Sequence, residues 1–184
     1  MKWSDFSKLI KLRLTFLVVF SASISFLIGS KVNGEIIWLN WIKLIVGGFL
    51  VTAAANCFNE IIEKDYDKLM RRTMDRPIPA GRMNTGQALV LGLGMGMAGT
   101  YLLGSLNLQT GLLSVFSILL YAFAYTPMKR KSPVAVFIGA IPGALPPLIG
   151  YVAAHEKVDQ IALILFGIQF IWQFPHFWAI AWVL

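Results

Sequence analysis

Asn59, Glu60, Glu63 and Asp67 lie in the run Asn59-Glu60-Ile61-Ile62-Glu63-Lys64-Asp65-Tyr66-Asp67, at the end of a long apolar stretch. On a helix turning about 100° per residue, these four share roughly 100° of arc, with Asn56 inside it and Asp65 pointing elsewhere. Glu60 and Asp67 are separated by about 10 Å along the axis. Carboxylates gathered this closely repel one another unless a cation lies between them. Hard oxygen ligands from carboxylate and amide suit Mg²⁺, which takes one or two carboxylates and completes its shell with water and phosphate. Cations follow at once: Arg71, Arg72, Arg76 and Arg82, with Lys129 and Arg130 in a later polar segment. Arginine grips phosphate groups bidentately, so this set is suited to clamping a diphosphate. A plainer reading makes the cations topological anchors and the acids a solvated helix end. That reading accounts for the cations, but not for acids aligned on one face beside two asparagines.

The element that carries these residues belongs to a membrane protein. Hydrophobic residues make up 57% of 184 and charged residues 14%, too little polar surface for a soluble domain of this size. About 20 apolar residues span a bilayer as a helix. Six such segments are expected: 14–30, 38–60, 86–105, 108–125, 133–153 and 159–182. Helices are preferred to strands because the runs are unbroken and a helix satisfies its own backbone in lipid. The predicted fold is therefore all-α, a polytopic membrane bundle around a central cavity. The first span reads as an uncleaved anchor, because it lacks a small-residue cleavage site and five spans follow. Lys2, Lys8, Lys11 and Arg13 precede it, and further basic clusters lie between spans two and three and between spans four and five. The positive-inside rule puts the N-terminus and both basic loops in the cytoplasm. The net charge of +7 is mostly this bias and points to no nucleic acid. Cys57 is the single cysteine, lies in a span and reads as packing.

Other polar residues in the spans deserve a role. Gln169, Gln173 and His176 form a polar stripe on span six that should face the bundle interior. Pro175 frees a carbonyl one turn back and is expected to kink that helix. His176 is a candidate heme ligand or an interhelical hydrogen-bonding residue. Tyr121 and Tyr125 are one turn apart; they either face a cationic intermediate or belong to an interfacial aromatic belt. His155, with Glu156 and Asp159, falls in the opposite loop, away from the acidic face. Gly92, Gly94 and Gly96, and the pair Gly139 and Gly143, read as close-packing positions. No strand precedes a glycine turn, so no phosphate-binding loop is present. Pro142, Pro146 and Pro147 predict a broken span five, which lipid tolerates only beside a cavity or protein.

Asn59-Glu60-x-x-Glu63-x-x-x-Asp67 resembles the first aspartate-rich motif of the intramembrane aromatic prenyltransferases, N-D-x-x-D-x-x-x-D, with glutamates at two aspartate positions. Arg76-Pro77-Ile78-Pro79-Ala80-Gly81-Arg82 resembles the segment that follows it. Within that superfamily, Met70-x-Arg72-Thr73-x-x-Arg76-Pro77 resembles the heme O synthases (protoheme IX farnesyltransferases). So do Tyr125-Thr126-Pro127-Met128-Lys129-Arg130, Pro146-Pro147-Leu148-Ile149-Gly150 and Trp172-Gln173-Phe174-Pro175-His176-Phe177-Trp178. The resemblance runs from about residue 10 to the end. It implies transfer of a farnesyl group from farnesyl diphosphate to a vinyl group of protoheme IX, in a bacterial inner membrane. It implies Mg²⁺ at Asn59, Glu60, Glu63 and Asp67, with heme as substrate. Arg72, Arg76, Arg82, Tyr125, Lys129, Arg130 and His176 would hold the substrates. The family is similar to a nine-helix bundle with a second acidic segment beyond the sixth span, so residues 1–184 are expected to be one transmembrane prenyltransferase domain, C-terminally incomplete. The alternatives are a prenyltransferase acting on a quinone precursor such as 4-hydroxybenzoate, a small transporter, or a non-catalytic helical partner. The Trp172–Trp178 motif argues against the first. The lack of inverted repeats between the halves argues against the second. Oligomeric state leaves no trace in the sequence.

Overall fold

The computed structural model describes Lys2 to Val183. Among the described residues the secondary structure is helical: α1 (Trp3–Leu9), α2 (Leu12–Asn33), α3 (Trp38–Asp67), α4 (Thr85–Gly104), α5 (Leu108–Leu119), a π-helical turn (Leu120–Tyr125), α6 (Thr126–Met128), α7 (Ala135–His155) and α8 (Gln160–Val183). Six stretches are long and apolar enough to cross a membrane, with α5, the π turn and α6 acting as one of them. The six expected spans are all present. The second is longer than expected, because the helix continues through the acidic run to Asp67. Leu14, Phe16, Leu17 and Phe20 on α2 and Leu39 and Ile42 on α3 stay exposed, as a lipid-facing surface requires.

Helix ends follow local chemistry. Asn84 caps α4 in a reciprocal capping box with Gln87, Asn107 caps α5 through Thr110 N, and Asp159 accepts from Ala162 N at the start of α8. α2 ends at Gly34, whose φ of 86° lies in the left-handed region that glycine enters freely. Lipid is as apolar as the side chains, so helix association depends on close packing. α2 meets α7 where Gly150 lies against the Ala22 carbonyl, so close that a Cβ would overlap it. α3 meets α4 at Gly99 in the same way, where a Cβ would sit 2.8 Å from the Gly47 carbonyl oxygen. Gly92 and Gly96 also pack on α3, whereas Gly94 has open space.

α7 is the most enclosed span and α8 the least. α7 remains one α-helix through Pro142, Pro146 and Pro147, in place of the expected break. Pro147 cannot donate to the Gly143 carbonyl, and Gln173 of α8 donates its Nε2 to that oxygen at 3.1 Å instead. The inward-facing position expected for Gln173 is thus accounted for by a backbone deficit on the neighbouring helix. α8 likewise remains helical through Pro175.

Candidate active site

All the basic loops fall at one end of the bundle, where α1, the end of α3, the turns of residues 68–84 and the start of the α6–α7 segment meet. Asn56, Asn59, Glu60, Glu63 and Asp67 are all buried there. Burial without pairing would be prohibitive for carboxylates. Glu63 is paired three times: Lys129 Nζ reaches both oxygens at 2.6 and 2.7 Å, Arg130 Nη2 lies 3.4 Å from Oε1, and Arg76 Nη1 lies 4.0 Å from Oε2. The same Arg76 nitrogen donates to Asp67 Oδ2 at 2.6 Å. One guanidinium atom therefore stands between two carboxylates. Arg130 also covers the Tyr66 ring, 3.6 Å from its centroid. Asn59 donates Nδ2 to Glu63 Oε2 and to Thr126 Oγ1, both at 3.0 Å.

Glu60 differs from its neighbours. Its Oε1 accepts from Ile78 N at 3.0 Å, which ties the Arg76–Arg82 turn to α3. Its Oε2 is buried with no partner. Arg82 is also set apart. Its Nε donates to Asp5 Oδ1 at 2.8 Å, and its terminal nitrogens donate to the Asp75 carboxylate and carbonyl at 3.0 and 2.7 Å. Lys8 bonds the same Asp75 carboxylate, so this network joins α1 to the loop. Lys8 and then Arg82 hold the Asp75 carboxyl below its ordinary range, and Asp5 first of all raises the Arg82 guanidinium. Arg72 is exposed and makes no ion pair among the described residues. The structure thus gathers Asn59, Glu63, Asp67, Arg76, Lys129 and Arg130, with Glu60 alongside, and leaves Arg72 and Arg82 outside that contact set.

Two site residues escaped the sequence reading. Lys11, counted there as a topological charge, puts Nζ 2.7 Å from Asn59 Oδ1 and 3.4 Å from Tyr121 OH. It enters because α1 and α2 are broken at Ile10–Lys11, where Lys11 has φ 48° and ψ 57°. The freed Ile10 carbonyl accepts from Thr15 Oγ1 at 2.7 Å and Asn56 Nδ2 at 3.0 Å. Burial, then the nearby Arg76 charge, pulls the Lys11 pKa down to about 8. Thr126 is the second, at the end of a π-helical turn that shifts the following residues relative to an α-helix. That turn leaves Tyr121 and Tyr125 tilted together at 5.7 Å between centroids, with Lys129 Nζ 5.8 Å from the Tyr125 centroid. Gly139 makes room for Tyr125, since a Cβ there would lie 2.6 Å from its ring. His176 is half-buried on α8, stacked on Trp172 at 4.7 Å, and linked to Tyr125 through Phe177.

The residues fit a divalent cation in donor chemistry. Asn59, Glu63 and Asp67 follow one another by single helical turns, and each presents an oxygen to a cationic nitrogen: Lys11, Lys129 and Arg76 respectively. Positions that attract three protein cations suit a hard metal ion with phosphate and water completing its shell. Among the described residues no three histidine, cysteine or acidic side chains converge into a closed cage. An open site of one amide and two carboxylates is consistent with that.

A match to the UbiA prenyltransferase family covers residues 17–184. The chain belongs to that family. It is 46% identical over 184 residues to the protoheme IX farnesyltransferase of Cytophaga hutchinsonii, covering 100% of this chain and 64% of that protein. It is 43% identical over 183 residues to the protein of the same name from Flavobacterium psychrophilum, covering 99% of this chain and 61% of that one. The chain thus spans about three fifths of the length of these curated relatives. Among solved structures, a digeranylgeranylglyceryl phosphate synthase is similar at TM-score 0.80 and 23% identity, over 91% of this chain and 58% of that one. A UbiA homolog from Archaeoglobus fulgidus bound to DMAPP and Mg²⁺ is similar at TM-score 0.76 and 14% identity, over 94% and 62%. At these identities the structural likeness concerns the fold, and it agrees with the all-α membrane bundle expected from the sequence.

Proposed function

We propose that this chain acts as a protoheme IX farnesyltransferase, moving a farnesyl group from farnesyl diphosphate to a vinyl group of protoheme IX. The observation that carries this reading is the buried Asn59–Glu63–Asp67 face, each member gripped by a cation. The names of the relatives support the choice of substrates. In the reaction the allylic C–O bond breaks, a C–C bond forms to the vinyl carbon, water adds to the porphyrin side chain, and diphosphate leaves. Asn59, Glu63 and Asp67 would hold Mg²⁺, whose charge stabilises the leaving diphosphate. Arg76, Lys129 and Arg130 exchange carboxylate oxygens for phosphate oxygens and steady the same negative charge. Lys11, bound to the Asn59 amide oxygen, adds a fourth cation. The Tyr121–Tyr125 pair offers ring faces beside the reacting end of the isoprenoid, and apolar helices keep bulk water from an allylic cation. His176 and the aromatic residues of α8 are assigned to the porphyrin side. The N-terminus and basic loops face the cytoplasm of a bacterial inner membrane.

The test is heme O formation by the purified protein in lipid nanodiscs with Mg²⁺, farnesyl diphosphate and protoheme IX, beside Glu63→Ala. Product from the wild type and a loss of about 10²–10³-fold in the variant are expected. Equal rates would remove Glu63 from the mechanism. Absence of product from the wild type would overturn the assignment of the activity to this chain.

A further inference from the structure

The Asn59 amide has two chemically different ends, and its neighbours determine which end faces the site. Nδ2 donates to Glu63 and Thr126, while Oδ1 receives the Lys11 ammonium. Glu63 and Lys11 are charged groups, and each meets more than one partner. Thr126 is different, because it is fully buried and its hydroxyl proton is already committed to the Tyr121 carbonyl at 2.8 Å. With that proton engaged, Thr126 Oγ1 faces Asn59 with lone pairs alone and accepts only from Nδ2. The commitment depends on the π turn. In a continuing α-helix the Tyr121 carbonyl would take the Tyr125 N–H; here it takes the N–H of Thr126, one residue further on.

We propose that Thr126 is a positioning residue: its hydroxyl relays the polarity of the Tyr121 carbonyl to Asn59 and keeps the amide oxygen turned toward the cation site. The proposal rests on reading Asn59 as a metal ligand. A reversed amide would turn its NH₂ group to the cation, and that group has no lone pair to offer. It would also place the amide oxygen against the Glu63 carboxylate. Thr126 therefore holds Asn59 ready whichever partners Glu63 and Lys11 take. The conformation in which the site meets a metal is thereby built into the fourth span.

Mn²⁺ binding, followed by electron paramagnetic resonance on the purified protein in nanodiscs without substrate, tests this independently of turnover. Thr126→Val, which keeps the shape and removes the hydroxyl, is expected to weaken Mn²⁺ binding about tenfold, the scale typical of a lost ligand-orienting partner. Thr126→Ser is expected to restore it. In the Asn59→Asp background both terminal atoms are oxygens, so Thr126→Val is expected to cause no further loss. A packing role would lower affinity in both backgrounds alike and would overturn the proposal, as would wild-type affinity in Thr126→Val. If Thr126→Val loses its helical circular dichroism, Thr126→Ala takes its place with the same expectations. Failure of the wild type to bind Mn²⁺ saturably would instead overturn the metal-site reading beneath it.

Discussion

The two ends of the bundle each carry a polar cluster, and they are built on different terms. At the end opposite the basic loops, Asn33 donates Nδ2 to the Ala154 carbonyl at 2.8 Å and turns Oδ1 to His155 Nδ1 at 2.6 Å. His155 Nε2 lies 3.2 Å from Asp159 Oδ2, which also accepts from Tyr151 OH at 2.9 Å. Most contacts there are made by uncharged side chains and the backbone, and a single acid, Asp159, takes part. At the basic end Lys11, Arg76, Lys129 and Arg130 converge on Glu63, Asp67 and an amide, and Glu60 keeps an oxygen without a partner. The first cluster acts as a clasp between α2, α7 and α8. The second sets Lys11, Arg76, Lys129 and Arg130 against Glu60, Glu63 and Asp67, an excess of one positive charge that the proposed diphosphate site would use.

The largest expected effect comes from exchanging one charge at each end. Lys129→Met removes the cation that reaches both Glu63 oxygens and is expected to lower heme O formation by about 10²-fold. Asp159→Asn, at the clasp, is expected to leave the rate unchanged. Rates measured side by side under saturating Mg²⁺ check this, and equal losses would erase the functional distinction between the ends.

Next in size is the seam that joins them. Gly150→Ala forces a methyl group into the Ala22 carbonyl, so α2 and α7 must separate. The expected cost is about 1–3 kcal/mol, read as a lower unfolding midpoint in detergent. Gly94→Ala, which meets open space, is the control expected to show no loss.

Much of this was legible in the sequence because periodicity and charge are local. The six spans came from uninterrupted apolar runs, and the shared face of Asn59, Glu63 and Asp67 came from helical angle alone. Lys11 was not legible, because its entry needs a helix break with a left-handed lysine and two side chains from elsewhere to satisfy Ile10. The separation of Arg82 from Arg76 was hidden for a similar reason: it depends on Asp5, 77 positions away, folding back on the loop. Thr126 stood inside a motif already singled out, but its role appears only with the π turn. The prolines of α7 predicted a break, and the remedy lay on another helix, in Gln173.

A smaller effect tests whether Lys11 is held at a cost for the sake of the site. A lysine at φ 48° carries backbone strain of roughly 1–2 kcal/mol, and burial disfavours its charge. Lys11→Gly relieves both. Stability is expected to rise by about 1 kcal/mol while activity falls, with the midpoint and the rate measured on the same preparation. A variant that loses both would make Lys11 a structural member of the bundle.

The smallest effect separates the two ends by salt and acid. Asp75 and Asp159 both have carboxyls held below the ordinary range, Asp75 first by Lys8 and then by Arg82, and Asp159 first by the Ala162 N–H and then by Tyr151 and His155. Folding favours the ionised form of each. Their stabilisation is therefore complete above the ordinary aspartate value of about 4 and is lost as pH falls through the lower folded value. Asp75 depends on solvent-accessible side-chain cations, whereas Asp159 depends first on a backbone donor. At about 1 M salt, where the screening length is about 3 Å, the gap in unfolding midpoint between wild type and Asp75→Asn is expected to shrink. The gap between wild type and Asp159→Asn is expected to persist at neutral pH and to narrow as pH falls below the ordinary aspartate value. If salt closed both gaps equally, the opposite end would be held by exposed ion pairs as well, and its description as a backbone-anchored clasp would fail.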